Sequence, residues 1–331
     1  MPRAGPRPVT RPAGTLQAGV GWHGIVAQIT RTGIRRCAAV SAMATLLMAT
    51  PAGAAITVTD DSGRPVTVAQ PARRIVALAP HITEQLYAVG AGERIVGTTD
   101  HADHPPAAQQ IPRVARAHSI DLERVAALQP DLIVVWGSGF PPTLLEALRR
   151  LGVPVYVNEP GALDSIATSM QRLGLLTDAP RAEEAARAFR QRISALRERH
   201  AGRTPVRVFY QVWQQPLMTL SGRHVLTEAM ALCGGRNVFA DLSPIAPQVS
   251  IEAVLAADPQ LIATAEPEAR ASGALDPWRR HTALSATRLG QFATLDANTL
   301  NRHSPRMAEA IATLCERIED ARQAVARDRP R

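Results

Sequence analysis

The chain has 331 residues, 46% hydrophobic and 4% aromatic, which gives enough apolar material for a packed core and enough length for about two domains. Its net charge of +8 would suggest a nucleic-acid partner, but Arg3, Arg7, Arg11, Arg31, Arg35 and Arg36 all lie before residue 55 with no acid among them, and removing those six leaves +2. No basic run remains to track a phosphate backbone, so nucleic acid is excluded as a partner.

The first element is an export signal. Arg35 and Arg36 form a positive flank, "CAAVSAMATLLMATPA" is a short apolar core, and "AGA" at 52–54 has the small residues of a cleavage site. The apolar run is too short for a membrane-spanning helix, which needs about 20 residues. Residues 1–54 are therefore expected to be a signal with an N-terminal extension, and the mature chain to enter the periplasm. After cleavage only Cys233 and Cys315 remain. In an oxidising compartment two cysteines suggest one disulfide, with two separate buried thiols as the alternative.

The mature chain opens with apolar–polar alternation around "GRP", the pattern of a hairpin. "RIVALAP" is a short buried strand, "ITEQLYAVGA" a helix stopped by glycines, and "RIVGTTD" another strand. Helix 122–129 runs through Pro130 into the strand "DLIVVW", and "TLLEALRRLG" and "VPVYVNE" repeat helix and strand. "LDSIATSMQRLGLLT" is helical, and "RAEEAARAFRQRISALRERH" is expected to be the longest helical run, without Gly or Pro and with apolar residues at helical spacing. A second series follows: strand "PVRVFYQVW", helix "HVLTEAMALCGG", helix–Pro–strand "SIEAVLAADPQLIATA" and terminal helix "RMAEAIATLCERIEDARQAV". Alternating strands and helices predict α/β architecture with mainly parallel sheets. The expected units are an N-terminal lobe over 56–178, a linking helix within 179–203 and a C-terminal lobe over 204–328.

One unit occurs twice. "IDLERVAALQPDLIVVW" and "VSIEAVLAADPQLIATA" superpose at an offset of 129, with Glu123 on Glu252, Pro130 on Pro259 and Asp121 on Ser250. Asp121 and Ser250 are good N-cap residues, and a glutamate in the first turn suits the positive end of the helix dipole. Local capping alone could account for both glutamates.

Seven stretches occur in a telling order: "RIVALAPHITEQLYAVGA", "HADHPPAAQQIPRV", "IDLERVAALQPDLIVVWGSG", "RVFYQVWQQPLMT", "ALCGGRNVFAD", "PQVSIEAVLAADPQLI" and "SPRMAEAIATLC". Over nearly all of 74–318 the chain resembles the periplasmic vitamin B12-binding proteins of ABC importers, within the group that binds haem and ferric siderophores. The resemblance implies two Rossmann-like lobes joined by a single long helix, the class III periplasmic-binding-protein architecture, and a monomer that holds cobalamin or a related corrinoid in the cleft. It implies no catalysis and no resident cofactor. Haem or a ferric siderophore is the alternative cargo, and an enzyme of corrinoid metabolism is a further alternative. The chain has no Walker-type phosphate loop, G-x-S-x-G elbow or H-E-x-x-H, and "GSG" at 137–139 lacks the third glycine of a dinucleotide fingerprint.

By the same resemblance, Glu123 and Glu252 dock on arginines of the importer's permease dimer, one glutamate per lobe and subunit. Cys233 and Cys315 fall where the family has its disulfide. His81, His101, Trp136, Gly137, Trp213, Asp296 and Arg302 are the implied ligand contacts, with Val212 at an aromatic contact position. The chain departs from the family at Ala117 and Ala246, where two tryptophans are lost. His81, His101, His104, His118 and His303 are all expected in loops. No histidine spacing defines a metal site, although a neutral imidazole could ligate the metal of a tetrapyrrole.

Overall fold

The computed structural model describes residues 54–116, 119–265 and 273–328. Nearly all of the expected signal, together with Ala117 and His118, lies outside the described residues. Gly53–Arg331 form one compact unit.

The expected hairpin is present: β1 (Ile56–Thr59) pairs antiparallel with β2 (Pro65–Val68). The Asp60 carboxylate closes its turn by accepting from the backbone N–H of Ser62 and Arg64, both at 2.9 Å.

The N-terminal lobe is built on β3 (Ile75–Leu78), β4 (Ile95–Thr99), β5 (Arg113–Arg116), β6 (Ser119–Ile120), β7 (Leu132–Trp136) and β8 (Val155–Asn158), in spatial order β6-β5-β4-β3-β7-β8. All pairs are parallel except β5–β6. The C-terminal lobe is built on β9 (Val206–Gln211), β10 (Gly235–Asn237), β11 (Leu261–Thr264) and β12 (Phe292–Thr294), in order β10-β9-β11-β12 and all parallel. β3, β8 and β11 are buried along their whole length. This is why they read as continuous apolar runs, as strands of a parallel sheet covered on both faces do.

The helix Ala182–His200 links the lobes and buries Ala182, Ala186, Phe189, Ile193 and Leu196 along one stripe, the spacing expected of an amphipathic helix. It is not the longest: the terminal helix Met307–Asp328 has 22 residues against 19. Sequence ended that helix at Val325, three residues early, because its last residues, "ARD", carry no large apolar side chain. A disulfide joins Cys233, at the C-terminus of the helix Val225–Leu232, to Cys315 in the terminal helix, with an S–S distance of 2.01 Å.

The repeated unit keeps its geometry in both lobes. Asp121 accepts from Arg124 N–H at 2.9 Å and Ser250 from Ala253 N–H at 3.2 Å, capping the helices Leu122–Ala127 and Ile251–Ala257. Gln129 and Asp258, the residues before the prolines, both take the left-handed conformation, with φ of 47° and 43°. Each unit then enters the strand beside the first strand of its lobe, β7 next to β3 and β11 next to β9.

Candidate functional site

In an open parallel sheet a ligand site forms at the carboxyl ends of the strands where the strand order reverses. The first strands, β3 and β9, each have a neighbour on both sides, so the reversals lie at β3/β7 and β9/β11. His81 follows β3, Trp136 ends β7, Tyr210 and Gln211 end β9, and Ala265 follows β11. Trp136, Tyr210, Gln211, Val212, Leu220, His224, Leu226, Ala265, Asn301 and His303 line one cavity of about 170 Å³. Both switch points thus open on the same space between the lobes. The cavity is smaller than the roughly 300–1,000 Å³ of typical ligand pockets, so it forms the floor of a cleft and cannot enclose a macrocycle.

Three histidines gather at this floor. His81 is buried in the first turn of the helix Pro80–Val89, edge-on to Trp136 with ring centroids 5.6 Å apart and 5.7 Å from the ring of His303. His224 lies 6.5 Å from His303. Burial lowers all three: His81 to about 3, His224 to about 4 and His303 to about 4. For His81 and His224 the nearby His303 adds to the effect. All three imidazoles are neutral at physiological pH. The loop expectation therefore fails at His81, while His303 lies in a loop but is buried. Pro80 opens a helix, which places His81 in that helix's buried first turn instead of in a loop.

The hydrogen bonds fix where the protons sit. Gln85 Nε2 donates to the His303 carbonyl at 2.6 Å, so Gln85 Oε1 faces Asn158 and accepts from its Nδ2 at 3.4 Å. Asn158 Oδ1 must then accept, at 3.0 Å, from a protonated His81 Nε2, which leaves the His81 lone pair on Nδ1. His224 caps its helix by accepting from Leu226 N–H through Nδ1 at 3.1 Å, so its proton is on Nε2.

Trp136 lines the cavity, and Gly137 follows it directly after β7. Glu159 holds their loop, accepting from Trp136 Nε1 at 3.2 Å and Ser138 N–H at 2.6 Å. A Cβ at Gly137 would lie 2.9 Å from Val157 Cγ1, and one at Gly139 2.5 Å from the Trp136 ring, so glycine at 137 lets the loop approach β8 and glycine at 139 lets the tryptophan pack on its own loop.

The remaining implied contacts have other partners. Arg302, 8% exposed, bridges the lobes. Its Nη1 reaches Glu84 Oε1 at 2.9 Å and Asp103 Oδ1 at 2.7 Å, and its Nη2 reaches the His101 carbonyl at 3.0 Å and Asn298 Oδ1 at 3.1 Å. Glu84 also accepts from Ser304 Oγ at 2.5 Å and Arg306 Nη1 at 3.3 Å. Burial alone would raise the Asp103 carboxyl, but Arg302 brings it below its ordinary value. His101 is exposed, with φ of 63°. Asp296 is exposed and caps the helix Ala297–Leu300. Trp213 is 48% exposed, its Nε1 donating to Gln215 O at 2.9 Å, while its neighbour Val212 reaches the cavity. Glu123 and Glu252 are exposed in the first turns of their helices, and neither is among the residues that line the cavity. Sequence reading missed His224, Tyr210 and Asn301. The available signal was His224 just before "VLTEAM", a position for a cap that is normally read for Ser, Thr, Asp or Asn.

A model of the family described as periplasmic binding protein matches residues 75–299. The chain belongs to the periplasmic binding protein family. It is a homologue of periplasmic vitamin B12-binding proteins and a binding protein, not an enzyme. A vitamin B12-binding protein of Vibrio cholerae is 41% identical over 255 residues, 76% of this chain and 91% of that one. The crystal structure of the periplasmic vitamin B12 binding protein BtuF of Vibrio cholerae superposes with a TM-score of 0.70 at 41% identity, covering 76% of this chain and 98% of that chain. The periplasmic heme-binding protein RhuT of Roseiflexus superposes with a TM-score of 0.67 at 26% identity, over 76% and 99% of the two chains. This binding protein therefore has the class III architecture, with two parallel-sheet lobes and a long C-terminal helix.

Proposed function

We propose that this protein captures cobalamin or a related corrinoid between its lobes in the periplasm and delivers it to an ABC importer. The observation that carries the proposal is a cleft at the switch points of both sheets in a chain 41% identical to a vitamin B12-binding protein. In this proposal residues 1–54 are removed on export, and 56–178 and 204–328 act as lobes around the linking segment 179–203. Trp136, Val212, His224 and His303 face the ring, with His81 packed behind Trp136 and His303. Trp213 forms an exposed rim, and His101, Asp296 and Arg302 shape the cleft edge. Absorbance titration of mature protein with cyanocobalamin and with hemin tests the cargo. Saturable cyanocobalamin binding is expected, and saturation by hemin alone would move the function to haem.

Delivery uses the repeated glutamates. Glu123 and Glu252 are exposed, one per lobe, in the same turn of the same repeated unit, which suits a permease with two equivalent subunits. The Glu123→Ala/Glu252→Ala variant is expected to bind corrinoid like wild type but to lose affinity for the reconstituted importer. Unchanged importer affinity would leave the glutamates as helix-terminal residues only.

A further inference from the structure

The cavity at the floor of the cleft has a definite hydrogen-bonding character. No Asp, Glu or Arg lines it. Gln211 is already spent, its Nε2 donating to the Ala274 carbonyl at 3.1 Å and its Oε1 accepting from Trp278 Nε1 at 2.8 Å. Three other lining residues keep polar atoms without a partner among the described residues. His224 has its Nδ1 lone pair on Leu226 N–H, so its Nε2–H is left to donate. Asn301 Nδ2 donates to the Ala265 carbonyl at 3.0 Å, which fixes the amide and leaves Oδ1 to accept. The neutral ring of His303 offers one donor and one acceptor. Among the described residues, the sealed side-chain atoms that lack a partner are Tyr156 Oη, His200 Nδ1 and Tyr210 Oη. The free ring atoms of His224 and His303 are not among them, and Asn301 is exposed, so all three residues can still meet a ligand.

Donors and acceptors side by side, with no charge among them, complement a primary amide, whose oxygen accepts and whose nitrogen donates. A carboxylate only accepts. It would set its oxygens against Asn301 Oδ1 and find no cationic side chain in the wall to offset its desolvation. The floor of about 170 Å³ also carries Leu220 and Leu226, apolar surface for a short methylene arm, and has no room for the ring itself. The group that enters must therefore reach down from the ring's edge, and the longer of the primary amides on a corrin are its propionamides. Resting on the corrinoid-capture reading above, we infer that the floor cavity seats one propionamide side chain of the corrin. Its oxygen accepts from His224 Nε2–H, its nitrogen donates to Asn301 Oδ1, and His303 completes the set. The floor thereby selects the amide against the free acid at that one position of the ring.

The probes are cyanocobalamin and its three monocarboxylic acids, each with one propionamide hydrolysed to propionate and the rest of the molecule unchanged. Wild-type mature protein is expected to bind one of the three acids at least about tenfold more weakly than cyanocobalamin, and the other two within about threefold of it, because only one arm occupies the floor. Asn301→Ala, at an exposed position, is expected to narrow that gap, since the oxygen that favours the amide and opposes the acid is gone. No acid weakened in wild type, or more than one weakened, would overturn the inference while leaving corrinoid capture intact; the second result would report charge sensed around the whole ring. An undiminished gap in Asn301→Ala would overturn it in the same way. Failure of wild type to bind cyanocobalamin at all would overturn the capture reading and the inference with it.

Discussion

His81, His224 and His303 fold in their neutral form because burial removes the water that would solvate an imidazolium. Their folded values lie below the ordinary 6.5, so the unfolded chain binds more protons between pH 6.5 and about 4. Stability is then full above pH 6.5 and falls as acid is added, by about 1.4 kcal/mol per pH unit for each histidine while it titrates only in the unfolded chain. Urea melts across that range are expected to show this slope, and His303→Gln to flatten it. Arg302 gives a second residue-scale expectation. Glu84 and Arg302 have side chains 2% and 9% exposed, and removing one partner of a buried ion pair costs about 3–5 kcal/mol. Arg306 still reaches Glu84, so Arg302→Met is expected near the low end. Asp103→Asn is expected to cost about 1 kcal/mol or less, since its carboxylate is half exposed. Thermal melts of the two variants should differ accordingly. The resemblance implied Arg302 at the cleft but gave no view of its partners, because Glu84 lies 218 residues away and each charge looks solvated when read alone.

At the scale of elements, the repeated helix–Pro–strand units were legible, although the first helix ends at Ala127 instead of 129 and its strand begins at Leu132. An N-cap, a first-turn acid and a proline are local signals, and both copies use them in the same way. The short strands were not legible. β10 is "GRN" and β12 is "FAT", three residues each, and their status as strands comes from pairing with β9 and β11. β5 and β6 likewise exist through neighbours that lie far along the chain or across a turn. The linking helix was legible through its composition. The disulfide stood between two readings in the bare sequence and was favoured by the resemblance. Its ends are 82 residues apart, and closing a loop of that length removes about 4–5 kcal/mol of unfolded-state entropy. The Cys233→Ser/Cys315→Ser variant is expected to melt roughly 10 °C lower. Because the bond lies within the C-terminal lobe, its loss should leave corrinoid affinity at low temperature unchanged.

For the whole molecule, the link between the lobes is a continuous helix, and the lobes are also tied directly. Glu84 and Gln85, from one helix of the N-terminal lobe, hold Arg302, Ser304 and the His303 carbonyl of the other lobe. Small-angle scattering curves with and without corrinoid are therefore expected to superpose closely, and a large compaction on binding would contradict this rigidity. The cross-lobe ties also have a spectroscopic consequence. The proton on His81 Nε2 is placed there by a relay that starts at a carbonyl of the opposite lobe and passes through Gln85 and Asn158. Separating the lobes cuts the relay at its origin, after which both amides are free to flip and His81 to exchange tautomers. Since the two ring nitrogens of a neutral imidazole resonate far apart in ¹⁵N NMR, His81 is a built-in gauge of lobe separation, readable inside the importer complex without any attached label.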